Sequence, residues 1–207
     1  DADLLRLFGI EETSLPLISP TTSIAGYLTD VGAALSGLPV GLPVAVGTGD
    51  DFAALLGCGI SQPGTVCVTI GTGEIIGALV EKLVIDTDQL VETHIFCTGH
   101  YHLGNPGWLS GGAIRWFLNT FSVKDDAEFS ALAAQAPPGC DGLLFIPALT
   151  GATAPQWLDK ARGTFHGMTT SHTKSHFARA ILEGTSFAMR DVIDRLTALD
   201  VPTEKIR

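Results

Sequence analysis

The sequence predicts a compact α/β protein. Short buried strand patterns alternate along the chain with amphipathic helix patterns, and 24 of the 207 residues are glycine. Apolar residues make up 45% of the chain, which is enough to build a hydrophobic core and excludes a disordered protein. The frequent glycines indicate many tight turns, which favour an α/β architecture over a helical bundle.

Residues 1–40 are predicted to be loops and short helices. Residues 3–8 form one or two helical turns, and the proline residues that follow break the pattern. Asp30 is expected to cap a short helix that runs through Leu35 and ends at Gly37.

From Pro43 onward the pattern changes to buried strands and longer helices. Residues 65–70 and 74–80 are strands joined by a Gly-x-Gly turn, which predicts a β-hairpin. The other predicted elements are strands at 44–46, within 94–103, at 143–149 and at 163–168, and helices at 52–58, 111–121, 127–136 and 174–199.

Composition excludes several classes of protein. The net charge of −10 disfavours binding to nucleic acid, and no apolar run approaches the ~20 residues of a membrane helix. The four cysteines, Cys58, Cys67, Cys97 and Cys140, form no Cys-x-x-Cys pair. They are expected to be buried free thiols of a cytoplasmic protein.

The segment Gly47-Thr48-Gly49-Asp50-Asp51 joins a strand to the start of a helix. Ligands of α/β proteins collect at the carboxyl ends of strands, where a carboxylate can accept a proton from a hydroxyl. The alternative is an ordinary helix cap, in which an aspartate satisfies free N–H groups. Two adjacent aspartates weaken that alternative, because one carboxylate is enough for capping.

Two further glycine-rich segments are candidate phosphate sites. In the turn Gly71-Thr72-Gly73, backbone N–H groups and a hydroxyl can approach phosphate oxygens, although a plain hairpin would have the same sequence. Residues 109–113 open a helix whose exposed N–H groups could meet a nucleotide, or whose small residues could serve helix–sheet packing. His94, Cys97, His100 and His102 match no standard zinc spacing, so no metal site is predicted.

Together these segments resemble the FGGY family of carbohydrate kinases. The most specific match is to the family's second signature, a glycine-flanked strand followed by a long helix. Here it comprises Gly163, Phe165, Gly167, Met168, His176, Phe177, Ala180, Ile181, Leu182 and Glu183. The resemblance runs from about residue 4 to the last residue. It implies the C-terminal portion of a two-domain kinase, with residues 1–42 ending the first domain and residues 43–207 forming most of the second.

The resemblance implies a fold, a reaction and a set of site residues. The fold is the actin-like, ribonuclease-H-like ATPase architecture, with a mixed sheet and flanking helices. The expected cofactors are ATP and Mg²⁺, and the expected partner is a sugar or polyol, with no nucleic acid or membrane; a homodimer is one possible assembly. The implied roles are a catalytic base for Asp50, a substrate contact for Asp51, and nucleotide contacts for Gly71, Thr72, Gly73, Gly111 and Arg115.

Substrate identity is less strongly indicated. The Gly-x-Gly-Asp-Asp segment is similar to xylulokinases, which favours a ketopentose such as xylulose. Residues 150–155 depart from the form usual in those enzymes, and Trp157 with Arg162 looks more like glycerol kinases. Glycerol, gluconate or another polyol is therefore the alternative, as is a kinase homologue that binds sugar or nucleotide without turnover.

Overall fold

The computed structural model describes residues 1–105 and 107–207, and the chain divides into two compact units, residues 1–49 and 50–207. The first unit contains helix α1 (Ala2–Phe8), strand β1 (Ile24–Tyr27), helix α2 (Asp30–Ser36) and strand β2 (Pro43–Ala45). Strands β1 and β2 pair antiparallel. The domain boundary after residue 42 that the sequence suggested stays a prediction.

The predicted cap of α2 is wrong by one residue. The Thr29 hydroxyl accepts the N–H of Gly32, so Thr29 is the N-cap and Asp30 is the first residue of the helix. Asp30 in the first turn still complements the helix dipole. Gly37 ends the helix with a φ of 74°, a left-handed conformation that glycine adopts without strain.

The second unit contains the helices and strands predicted after residue 50. Strands β3 (Val66–Ile70) and β4 (Glu74–Val80) form the expected hairpin. The other elements, in chain order, are α3 (Asp50–Gly57), β5 (Glu92–Ile95), β6 (Tyr101–Asn105), α4 (Gly111–Thr120), α5 (Asp126–Ala133), β7 (Leu144–Ile146), β8 (Thr164–His166) and α6 (Lys174–Ala198).

The main sheet has four antiparallel strands in the order β3-β4-β6-β5. The last residues of the chain add parallel pairing on the outer side of β3. There Val66 N–H donates to the carbonyl of Lys205 at 2.8 Å, and Arg207 N–H donates back to the carbonyl of Val66 at 2.9 Å. This parallel contact gives the sheet the mixed character that the family resemblance implied.

Both faces of the sheet are covered. Because side chains alternate along β4, Ile76 and Ala78 pack toward α6, whereas Leu79 packs toward α3. Long helix α6 also packs against α5 and strand β7, where Phe117, Phe129 and Ile181 are fully buried. The residues of the second signature therefore lie on and around β8 and in the first half of α6, in the core formed with α4, α5 and β7.

A buried ion pair ties the segment after β4 to α6. The Arg195 guanidinium donates to both carboxylate oxygens of Asp86, which also accept the N–H groups of Asp88, Leu90 and Val91. These donors, led by Arg195, lower the pKa of Asp86 to about 2. The segment between β4 and β5 is thus held by charge and not only by packing.

The structure tests the expectations about cysteines and membranes. Cys67 and Cys140 are buried, but Cys58 is exposed, because it follows the last residue of α3 beyond the part of the helix that packs on the sheet. Among the described residues, no helix has both the length and the apolar character needed to cross a membrane.

Candidate functional site

The two predicted acidic residues stand in the first turn of α3, and both are exposed. Among the described residues, only one hydrogen bond reaches either carboxylate, and it comes from the adjacent residue: Asp51 N–H donates to Asp50 Oδ1 at 3.2 Å. This bond accounts for one Asp50 oxygen, and none of the described residues donates a hydrogen bond to the Asp51 carboxylate. The helix start presents two carboxylates that a ligand can reach.

The β3–β4 turn exposes hydrogen-bond donors. Gly71 N–H donates across the turn to the carbonyl of Gly73 at 2.8 Å, which holds the turn closed. Within the described part of the chain, the N–H groups of Thr72 and Gly73 and the Thr72 hydroxyl have no hydrogen-bond partner. Gly71, Thr72 and Gly73 are all exposed. Adjacent free N–H groups in a turn form a concave site for an anion.

Helix α4 begins directly against this turn. Gly111 N–H donates to the carbonyl of Gly71 at 3.2 Å, and Gly112 N–H donates to the carbonyl of Thr72 at 2.8 Å. A Cβ atom at position 111 would lie 2.2 Å from the Gly71 oxygen, so only glycine permits this approach. The structure thus brings together two segments, Gly71-Thr72-Gly73 and Gly111, that the sequence singled out separately.

The same contacts bear on the start of α4, for which the sequence left open either a nucleotide contact or close packing. A contact of Gly111 with a nucleotide stays a prediction. Gly111 and Gly112 donate to the turn, while the N–H groups of Ala113 and Ile114 donate to the Ser110 carbonyl. These N–H groups therefore already have acceptors, as α4 packs closely on the hairpin. An anion bound here would instead contact the N–H groups of the turn.

Arg115 lies one helical turn after Gly111 on α4, and its side chain is exposed. Within the described residues no carboxylate lies within ion-pair distance of its guanidinium. A guanidinium that makes no ion pair within the described residues suits a phosphate or a ribose hydroxyl. Its contact with a nucleotide stays a prediction.

Glu74, directly after the turn, is a feature that sequence reasoning missed. The residue is fully buried, and neither of its carboxylate oxygens has a hydrogen-bond partner among the described residues. Burial disfavours the charged form and raises the pKa of Glu74 to about 7. Its backbone is clamped from the α4 side, since Glu74 N–H donates to the carbonyl of Trp108 at 2.9 Å.

The segment before α4 is itself held in place by the 150–158 loop. The Trp108 indole N–H donates to the carbonyl of Ala154 at 2.9 Å, and the Thr153 hydroxyl donates to the carbonyl of Gly107 at 2.8 Å. The loop whose sequence departs from the xylulokinase form therefore supports the base of α4.

A cavity of about 300 Å³ opens beside Asp51. Its lining includes Asp51 and Phe52 from α3, Ile75 from β4, Glu92 and His94 from β5, and His102 from β6. Histidines 94 and 102 are direct cross-strand partners, a pairing that the sequence alone does not fix. Of the described residues, no three histidine, cysteine or acidic side chains are arranged to hold a metal ion.

Comparison with known proteins identifies the family. The model of the C-terminal domain of the FGGY family of carbohydrate kinases matches residues 66–207, and the model of the family's N-terminal domain matches residues 1–57. The chain belongs to the FGGY family of carbohydrate kinases. This confirms the resemblance that the glycine-rich segments and the second signature carried.

The proteins that this FGGY chain is similar to are kinases named for different substrates. It is 31% identical over 219 residues to a gluconokinase of Bacillus subtilis, covering 100% of this chain and 43% of that protein. A ligand-bound xylulose kinase from Lactobacillus acidophilus has a TM-score of 0.81 at 28% identity, covering 95% of this chain and 40% of the other. A structure of Plasmodium falciparum glycerol kinase with ADP has a TM-score of 0.80 at 26% identity. The match covers 97% of this chain and 40% of the other.

These likenesses confirm the α/β fold of the FGGY kinases. The chain spans about 40% of the length of the relatives it matches. The relatives named here are kinases of three different substrates, so family membership leaves the substrate open. The roles of individual site residues likewise stay predictions.

Proposed function

We propose that the protein carrying this FGGY chain transfers the γ-phosphoryl group of ATP to a hydroxyl of a sugar or polyol. The observation that carries the proposal is the exposed turn at Gly71–Gly73 against the start of α4, where two N–H groups and one hydroxyl have no partner in the part of the chain that the structure describes. Family membership and the likeness to a structure of a kinase with ADP support it.

The chain's residues fit a magnesium nucleotide. The Thr72 and Gly73 N–H groups and the Thr72 hydroxyl would bind the β- and γ-phosphate oxygens, and the Arg115 guanidinium would bind a phosphate or the ribose. Asp50, whose carboxylate is exposed, would bind the metal through a water molecule. Bound Mg²⁺ would neutralise charge on the phosphates. The acidic net charge of the chain is no obstacle, because the donors at the turn are local.

Asp50 is the proposed base. An ordinary aspartate is a weak base, but the phosphoryl transition state is loose and the hydroxyl proton leaves late, so orientation of the nucleophile contributes most. One Asp50 oxygen accepts the N–H of Asp51, which fixes the carboxylate and leaves the other oxygen for the substrate hydroxyl. The Asp51 carboxylate, to which none of the described residues donates a hydrogen bond, would accept one from a second hydroxyl.

The proposed acceptor is a ketopentose such as xylulose. Similarity to structures of xylulose kinases supports this choice, whereas the gluconokinase relative supports gluconate. Glycerol or another polyol is the remaining alternative, which relatives named glycerol kinase support. A homologue that binds without turnover is disfavoured by the presence of both Asp50 and Thr72. The supply of ATP in the cytoplasm makes that compartment the proposed location.

A coupled ADP-release assay on the intact protein tests the proposal. ADP should appear only when a sugar such as D-xylulose, D-ribulose, glycerol or D-gluconate is added. Asp50→Asn should lower kcat about 10²- to 10⁴-fold and leave the ATP affinity nearly unchanged. Asp126→Asn is the matched control, because Asp126 is the exposed first residue of α5. Full activity of the Asp50 variant, or no sugar-dependent ADP release by the unaltered protein, contradicts the proposal.

A further inference from the structure

The cavity beside Asp51 contains buried polar groups that lack partners. His102 is 3% exposed and Asn105 is 4% exposed, and both line the cavity. Neither ring nitrogen of His102 has a hydrogen-bond partner among the described residues, nor has the Nδ2 of Asn105, although Asn105 Oδ1 accepts the N–H of Ile76 at 3.0 Å. A buried polar group without a hydrogen-bond partner costs folding free energy. These donors and acceptors therefore indicate a ligand that enters the cavity and forms hydrogen bonds with them.

The sheet is shaped to hold the His102 ring. A Cβ atom at Gly77 would lie 2.3 Å from His102 Nε2, and one at Gly104 would lie 3.0 Å from Cε1, so two glycines make room for the imidazole. Burial, together with neighbouring His94, lowers the pKa of His102 to about 4. The ring is therefore neutral near pH 7 and offers one donor and one acceptor, which matches a hydroxyl group.

The walls of the cavity combine apolar and acidic surface. Phe52 packs against His102 with ring centroids 5.5 Å apart, and Ile75 adds apolar surface from β4. The aromatic and aliphatic walls suit the C–H faces of a carbon chain. Asp51 and Glu92 supply carboxylates, and Glu92 Oε2 lies 3.2 Å from His94 Nε2. Among the described residues, no lysine or arginine lines the cavity.

We infer that this cavity binds the hydroxyl groups of a neutral polyol or ketose and discriminates against a sugar acid. The inference rests on the proposed kinase function and names its substrate class. Carboxylates accept hydrogen bonds from hydroxyls, whereas a ligand carboxylate would face the two like charges of Asp51 and Glu92, with no lysine or arginine among the described lining residues. Because Asp51 directly follows Asp50, the occupied cavity holds the substrate beside the proposed base, and Glu92 acts as a specificity residue.

The first experiment measures kcat/KM of the intact protein for D-xylulose, D-ribulose, glycerol and D-gluconate. At least one neutral substrate should exceed gluconate by tenfold or more. Glu92→Gln removes one of the two charges and should reduce that ratio at least fivefold, while the KM for ATP changes less than twofold. Glu81→Gln is the matched control, because Glu81 is exposed directly after β4, outside the cavity lining, and should leave the ratio unchanged.

The second experiment measures binding without ATP, by the thermal shift that each sugar produces. The best neutral substrate should raise Tm of the unaltered protein, gluconate should not, and Glu92→Gln should reduce the difference. Preference for gluconate, or equal ratios in the Glu92 and Glu81 variants, overturns the inference while leaving kinase activity intact. If no sugar causes ADP release, the proposed kinase function is wrong. The thermal shifts then still test whether the cavity binds neutral sugars in preference to gluconate.

Discussion

Gly111 and Gly71 are in direct backbone contact: the Gly111 N–H donates to the Gly71 carbonyl at 3.2 Å. This contact couples helix α4 to the β3–β4 turn, although 40 residues separate the two in the sequence. The N–H groups of Thr72 and Gly73 have no acceptor among the described residues, because the carbonyls of the turn, not its N–H groups, face α4. The position of α4 therefore sets the geometry of the proposed phosphate site.

The first prediction concerns the space at Gly111. In Gly111→Ala the new methyl group would meet backbone, 2.2 Å from the Gly71 oxygen, so helix and turn must separate. We expect KM for ATP to rise at least tenfold in steady-state assays of the intact protein. In Gly112→Ala the methyl group meets only the side chain of Leu109, with Cγ at 2.6 Å, and a leucine side chain can move aside by changing rotamer whereas backbone cannot. Equal effects of the two substitutions would show that contact with Gly71 does not position the site.

A second prediction concerns the hydroxyl of Thr72. Thr72→Val keeps the shape of the side chain and the N–H donors of the turn but removes one donor to a charged acceptor. A hydrogen bond to a charged group contributes about 1.5–3 kcal/mol, so kcat/KM for ATP should fall about 10- to 100-fold. Thr72→Ser should restore most of it, because the hydroxyl returns. A valine variant with unchanged ATP kinetics would remove Thr72 from the phosphate site.

The sequence predicted those features that depend on local pattern. The hairpin follows from two strand patterns around Gly71–Gly73, and α6 follows from its apolar period. The cap of α2 was misplaced because Thr29 and Asp30 are both good caps, and only the observed Thr29–Gly32 hydrogen bond decides between them.

Features that depend on contacts between distant segments could not be predicted in the same way. The sequence marks Gly71 and Gly111 but contains no signal that one carbonyl accepts the other's N–H. The cavity escaped prediction because it needs the register that places His94 opposite His102, and register is set by the folded sheet. Glu74 escaped because it is buried where its backbone meets Trp108, a residue far from it in sequence.

Glu74 gives a prediction about pH. Its pKa is raised from 4.5 to about 7, so between these values the folded protein binds a proton that the unfolded chain releases. The free energy of unfolding that comes from this bound proton is fully present below about pH 4.5. It is lost as the pH rises through 7, where the folded protein also releases the proton. Glu74→Gln stays neutral throughout. The variant should therefore gain stability relative to the unaltered protein as the pH rises from 4.5 to 8, by at most about 3 kcal/mol.

Urea unfolding of both proteins across this pH range measures the difference. Glu81→Gln, with the same substitution at an exposed position, should show no such trend. A constant difference between the Glu74 variant and the unaltered protein would mean that the carboxyl is not buried in the intact protein.

The final prediction concerns the ion pair of Asp86 and Arg195. Because the pKa of Asp86 is lowered to about 2 in the folded state, its stabilisation is present above the unfolded value of 3.8 and is lost as the pH falls below it. Asp86→Asn leaves the Arg195 guanidinium without its bidentate partner and should cost about 3 kcal/mol of unfolding free energy at pH 7. The deficit should shrink as the pH is lowered from 4 toward 2.

Asp88→Asn provides the comparison for Asp86→Asn. Asp88 also contacts Arg195, at 2.7 Å, but its side chain is 65% exposed, so the same substitution there should cost less than about 1 kcal/mol. Urea unfolding followed by circular dichroism measures both variants under identical conditions.

Loss of the Asp86 contact should also loosen the segment between β4 and β5, because Asp86 accepts the N–H groups of Leu90 and Val91 and ties this segment to α6, which covers the sheet. Faster hydrogen exchange at Leu90 and Val91 would report this loosening. Equal stability of the two variants at pH 7 would show that the buried carboxylate does not anchor this segment to α6.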